Sequence, residues 1–301
     1  MMEETLIQNK QSYKQQYIQI GPNKLSWFEW GIPSTKESSI LLVHATGFHG
    51  RCWNQVIENL SGRHIIALDM RGHGSSENNG PFTWNVFGED IAAFVKYLDL
   101  SNLTGVGHSL GGYAVAHAMA LEKERFSKAL LVDPVIMNPE IYAKGVTQHD
   151  RFLNEAGQHP VARRRNNFRD SQEMYENFEN RGSFGLWTKK ALEDYCQFGL
   201  KRKIEGGYEL ACPPKIEASI YMGSTSIDII ALAKEVNLPV TVLRAQQRDI
   251  AQTELDFSKS PTWPGLAETL RQGTDVYIPE LSHFMPMQAP QLIADAILRL
   301  Q

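Results

Sequence analysis

The residue best placed to do chemistry in this chain is a serine set between glycines, where an apolar run gives way to a helical pattern. The segment is Gly105-Val106-Gly107-His108-Ser109-Leu110-Gly111-Gly112. Leu103 to Val106 reads as a short strand and Tyr113 to Leu121 as a helix, so Ser109 is expected at the tip of a strand-turn-helix. A turn that sharp needs small neighbours, because a Cβ at Gly107 or Gly111 would collide with crossing backbone. The five-residue pattern alone carries little, since at ~7% glycine chance supplies it in roughly one chain in ten of this length.

A serine hydroxyl is a poor nucleophile until a base removes its proton, and the base needs a carboxylate to orient it. Among nine histidines only His283 comes late, in the loop Pro279-Glu280-Leu281-Ser282-His283-Phe284-Met285-Pro286 after the last expected strand. Two acids compete for the third role. Asp249 follows the strand ending at Leu243 by a short loop, and Asp133 ends an earlier strand just before Pro134. Both satisfy the order Ser, acid, His. Asp249 is preferred, because Asp133 precedes a proline where the chain leaves the sheet and equally suits a hinge.

The elements that must position these groups alternate along the chain. Tyr17 to Ile20 and Leu25 to Trp30 flank Gly21-Pro22-Asn23, a hairpin signal. Ile40 to Val43, Ile65 to Leu68, Leu103 to Val106, Ala129 to Val132, Val240 to Leu243 and Val276 to Ile278 read as short buried-type strands with helices between most of them. The expected fold class is α/β, a mainly parallel sheet covered on both faces. Residues 135–234 break the alternation with polar helical patterns and no strand run, which suggests a helical cap inserted between core segments 1–134 and 235–301.

The chain has 301 residues, 42% hydrophobic and 21% charged, with formal net charge -4, which suits an ordinary globular protein and excludes a strongly basic nucleic-acid binder. No apolar stretch approaches the length of a membrane span, and Met1 to Gln16 has no apolar signal core, so a cytoplasmic location is expected. Cys52, Cys196 and Cys212 are odd in number and widely spaced, arguing for reduced thiols over disulfides or a thiolate metal site.

Four segments, Leu41 to Phe48, Asp69 to Ser76, Gly107 to Gly112 and Ser282 to Met287, resemble in order and spacing the α/β-hydrolase superfamily, and specifically its capped serine-nucleophile branch. The resemblance implies Ser109 as nucleophile, His283 as general base and Asp249 as acid. It also implies that the backbone N–H groups of Thr46 and Leu110 form the oxyanion hole. The chain departs from the family pattern at Ala45 and Gly47, where glycine and proline are usual, at Ser282, and at Gln246 and Gln247 in the acid loop. His44 and His108 flank the site and resemble the family's structural hydrogen-bonders. With Trp187 of the cap they are the candidates to touch substrate. Arg163-Arg164-Arg165 and Lys201-Arg202-Lys203 could recognise an anion or an acidic carrier protein, although a solvated helix face explains them as well.

The implied activity is hydrolysis of a carboxylic ester or thioester of a small or medium apolar acyl group through an acyl-enzyme, requiring no metal or organic cofactor. A carbon-carbon bond hydrolase acting on a diketone-like acid is the alternative within the fold. A ligand-binding receptor or carrier on a hydrolase framework is the alternative of another class.

Overall fold

The computed structural model describes residues 12–140, 153, 157, 159–223, 227–248 and 256–300. The chain opens on the expected hairpin, in which β1 (Tyr13–Ile20) and β2 (Asn23–Trp30) pair antiparallel. β3 (Ser39–Val43), β4 (Ile65–Asp69), β5 (Leu103–His108) and β6 (Phe126–Val132) follow as short aliphatic runs. After β7 (Asn167–Phe168), β8 (Leu200–Arg202) and β9 (Tyr208–Leu210) come β10 (Pro239–Arg244) and β11 (Gln272–Tyr277). The main sheet has the order β1-β2-β4-β3-β5-β6-β10-β11 and is parallel from β4 onward.

Both faces of this sheet are covered, which is why its strands read as continuous apolar runs. Side chains alternate across a strand, and β3 shows the division. Leu41 and Val43 join one core with α1 (Trp84–Tyr97) and α2 (Leu110–Leu121), while Ile40 and Leu42 join another with Trp53, Val56 and Ile57.

The intervening segment contains α3 (Ser171–Phe178), α4 (Lys189–Phe198), α5 (Pro214–Tyr221) and α6 (Ile229–Lys234). Asp170, Thr188 and Asp228 cap the N-termini of α3, α4 and α6 by accepting backbone N–H bonds. The expectation of a strand-free segment fails, because β7, β9 and β8 form a small antiparallel sheet. Strands of two or three residues are too short to display a period of two. Ile229, Ile230 and Ala233 of α6 enter the core containing α2, so the chain already packs with the main domain before residue 235.

The last helix, α7 (Pro290–Arg299), closes the second face with Ile293, Ala294 and Ile297. The strand expected at Val276 to Ile278 proves to be an exposed edge strand starting at Gln272. Asp275 holds it to β10 by accepting from Arg244 Nε and Nη2 at 2.6 and 2.7 Å. The three cysteines are buried and form no disulfide. Among the described residues no helix is long and apolar enough to cross a membrane.

One feature of this topology positions the chemistry. β5 and β6 are neighbours with His108 opposite Val132, so residues 109 and 133 leave the carboxyl edge of the sheet side by side.

Candidate active site

Ser109 links β5 to α2 with φ 57 and ψ -119, a conformation that side-chain-bearing residues rarely adopt and that costs of order 1–3 kcal/mol. Its surroundings enforce it. The Ser109 N–H donates to the Val132 carbonyl at 3.0 Å, and its own carbonyl accepts from the amides of Gly112, Tyr113 and Val135. A Cβ on Gly107 would lie 2.2 Å from the Gly111 carbonyl oxygen, and one on Gly111 would lie 2.4 Å from that of Val43. The glycines around the serine are therefore a condition of the turn.

His283 is held by its backbone at three points. Its N–H donates to the Ser258 carbonyl at 2.7 Å, and its carbonyl accepts from His108 Nε2 at 2.7 Å. Ser282 supplies the third: its hydroxyl donates to Gln288 Oε1 and accepts the Phe284 N–H. The serine that replaces the usual glycine thus ties the loop down. The His283 ring lies between two partners, with Nε2 3.0 Å from Ser109 Oγ and Nδ1 2.6 Å from Asp133 Oδ2. A carboxylate at Nδ1 fixes the proton there and leaves Nε2 as the acceptor of the serine hydroxyl.

Asp133, which the sequence offered as the second choice, faces His283 Nδ1, and the preferred Asp249 lies outside the described residues. Asp133 is fully buried with φ 45. Its Oδ1 accepts from the Ala245 amide at 3.1 Å, the Ser260 hydroxyl at 2.5 Å and the Thr262 hydroxyl at 3.1 Å. Those hydroxyls satisfy a carboxylate that would otherwise be costly to bury. Sequence reasoning missed both, because Ser260-Pro261-Thr262 signals only a turn.

The loop after β3 is built on neutral histidines. His44 donates from Nδ1 to the Ala45 carbonyl and accepts the Met70 N–H at Nε2. His73 donates from Nδ1 to the Arg71 carbonyl and accepts the Gly47 N–H at Nε2 at 3.0 Å. Burial pushes the His44 ring well below its ordinary 6.5, with His73 adding to the effect, and pushes His73 down to about 4. Gly47 has φ 81, which proline cannot adopt, and a Cβ there would lie 2.6 Å from Glu217 Oε1. The Phe48 amide closes the turn on the Ala45 carbonyl. The Gly47 and Phe48 amides are so engaged, and among the described residues no hydrogen bond takes up the Thr46 amide. Leu110 opens α2 and has no carbonyl four residues back within its helix.

Ser109, His283 and Thr46 open onto a cavity of about 380 Å³. An aromatic cluster forms part of its wall, with Phe48, Phe184, Trp187 and Phe284 meeting at centroid distances of 4.8 to 6.0 Å. Trp187, one of the three candidates to touch substrate, lines the cavity. His44 and His108, the other two candidates to touch substrate, do not line the cavity; His44 spends both ring nitrogens on backbone, and His108 gives Nε2 to the His283 carbonyl. The Arg163-Arg164-Arg165 triplet does not present one anion-binding face. Arg163 and Arg165 are exposed, and Arg165 pairs with Glu173 at 2.6 Å. Arg164 turns inward to the cavity and donates to the buried Glu217 at 2.6 Å. Burial raises the Glu217 carboxyl above its ordinary value, and Arg164 opposes that rise. Lys201 is likewise tied, donating to the Ser76 carbonyl.

Comparison with known proteins agrees with this architecture. The bifunctional esterase/perhydrolase DCH of Acinetobacter calcoaceticus is 24% identical over 245 residues, 77% of this chain and 79% of that protein. Lipase LipV of Mycobacterium tuberculosis is 30% identical over 97 residues, and this match spans only 37% of the lipase. The solved structure of E-2-(acetamidomethylene)succinate hydrolase superposes with a TM-score of 0.73 at 22% identity, covering 96% of this chain and 98% of that one. A sequence model of the alpha/beta hydrolase family matches residues 40–296, and the chain belongs to that family.

Proposed function

We propose that the protein is a serine esterase that cleaves carboxylic esters or thioesters of small or medium apolar acyl groups. The single observation that carries this reading is the hydrogen-bonded series Ser109–His283–Asp133, opening onto a cavity with an aromatic cluster in its wall. Ser109 Oγ attacks the carbonyl carbon while His283 Nε2 takes its proton, a transfer worth typically 10²–10⁴-fold. The imidazolium that forms is stabilised by the facing Asp133. The Thr46 and Leu110 amides receive the developing oxyanion, each such donor being worth roughly 10²–10³-fold. Collapse expels the alcohol or thiol with the proton from His283, and water then repeats the sequence on the acyl-enzyme.

The cavity is of the size of ordinary small-ligand sites, and its aromatic cluster suits an apolar acyl chain. The segment from Val161 to Tyr221 acts as the cap over it. The esterase and lipase names of the relatives are consistent with this chemistry at the level of the family. The test is a panel of 4-nitrophenyl esters from acetate to dodecanoate. Turnover should peak at short or medium chains and fall by roughly 10⁶-fold in Ser109→Ala. No turnover above background by folded protein across the panel would overturn the reading.

A further inference from the structure

Among the charged side chains that line the cavity, Arg164 and Glu217 stand together as an ion pair, while Arg181, Arg248 and Lys259 lie elsewhere on the wall. Arg164 Nη1 donates to Glu217 Oε2 at 2.6 Å and Nη2 donates to the Tyr195 hydroxyl oxygen at 3.3 Å. The Glu217 side chain is 5% exposed, whereas that of Arg164 remains 26% exposed. Burying such a pair costs desolvation that its attraction often fails to offset, so it is a poor device for stability alone. Arg164 has five N–H groups, and hydrogen bonds among the described residues use two of them. Its position is also informative. Glu217 Oε1 crowds Gly47, so a single carboxylate separates the guanidinium from the loop that carries Thr46.

Resting on the esterase reading, we infer that Arg164 is a specificity residue. It donates a hydrogen bond to a second, uncharged oxygen on the substrate, a ketone or ether oxygen a few bonds from the scissile carbonyl. Glu217 sets the preference for a neutral group. It already balances the guanidinium charge, and it would repel an incoming carboxylate as a buried like charge. Tyr195 supports the geometry by accepting one Arg164 N–H, and Phe178 lies under the guanidinium with its ring centroid at 5.8 Å. The sequence showed only a run of three arginines. The fold gives the middle one this task by turning it away from its neighbours.

The test compares 4-nitrophenyl hexanoate with its 4-oxo and 5-oxo derivatives and with the 4-nitrophenyl hemiester of glutaric acid. Two readouts are taken, kcat/KM on the wild type and calorimetric affinity on Ser109→Ala. At least one oxo ester should exceed hexanoate by about tenfold or more in both, as a hydrogen bond to a charged donor allows. The double variant Arg164→Met, Glu217→Gln, which leaves no unpaired buried charge, should bring that ratio close to one. Equal values for hexanoate and both oxo esters would overturn the inference, as would a preference for the hemiester. If the double variant does not fold, the wild-type and Ser109→Ala ratios decide. A preference in Ser109→Ala affinity without turnover by the wild type would contradict the esterase reading and leave the subsite standing.

Discussion

Asp133 Oδ2 and His283 Nδ1 meet at 2.6 Å although the two are 150 positions apart in the chain. The contact follows from strand order, since β6 runs beside β5 and delivers Asp133 next to Ser109. With Nδ1 already occupied, a second acid has no place at the ring. Asp133→Asn should lower kcat by about 10⁴-fold, the loss seen when a triad carboxylate is replaced by its amide. Asp249→Asn should keep near-wild-type turnover. Steady-state kinetics of the two variants decide between the acids, and the reverse ranking would restore Asp249.

The serine turn was legible in the sequence because its glycines are forced by backbone contacts within a few residues, as the Gly107 and Gly111 approaches show. His283 was legible from chain order alone. The acid was not, because Asp133 and Asp249 both follow strand ends. The choice depends on Ala245, Ser260 and Thr262 converging on one carboxylate from 112 to 129 residues away. The inward turn of Arg164 and the small sheet of β7, β8 and β9 were equally hidden, since neither leaves a periodic pattern.

Gly47 departs from the family pattern in the loop after β3, and its φ of 81 is one that a side-chain-bearing residue adopts only with strain. Gly47→Ala should therefore displace the Thr46 amide and lower kcat by roughly 10²- to 10³-fold, the worth of one oxyanion donor. Binding of an unreactive substrate analogue should change much less. A kcat within threefold of wild type would contradict this role for the loop.

His73 gives that loop a dependence on pH. Its Nε2 accepts the Gly47 N–H only while neutral, and burial lowers its pKa from 6.5 to about 4. Between those values the unfolded chain binds more protons than the folded one. The stabilisation is therefore complete above pH 6.5 and is lost as pH falls toward about 4. His49, lowered by burial to about 4, has the same sign. Asp69, raised by burial from 3.8 to about 6, has the opposite sign across that lower range. Comparing wild type with His73→Gln isolates one group, because glutamine can accept the Gly47 N–H without titrating. The drop in Tm from pH 6.5 to 4.5 should be smaller in the variant, and equal drops would refute the assignment.

Trp187 packs against Phe48, Phe184 and Phe284 and is 8% exposed. Trp187→Ala should extend the cavity and move the preferred acyl chain to greater length. It should also destabilise the fold by about 3–5 kcal/mol, as loss of a buried aromatic does. Chain-length profiles and denaturant titrations of the variant check the two effects separately.

If Ser109 is a nucleophile activated by His283, its hydroxyl will react selectively with an organophosphorus electrophile. The most direct measurement treats the folded protein with a fluorophosphonate and locates the adduct by mass spectrometry of its peptides. One adduct is expected on Ser109, absent from Ser109→Ala and strongly slowed in His283→Ala. Wild-type protein that is folded yet unlabelled at Ser109, or labelled equally fast without His283, would contradict it.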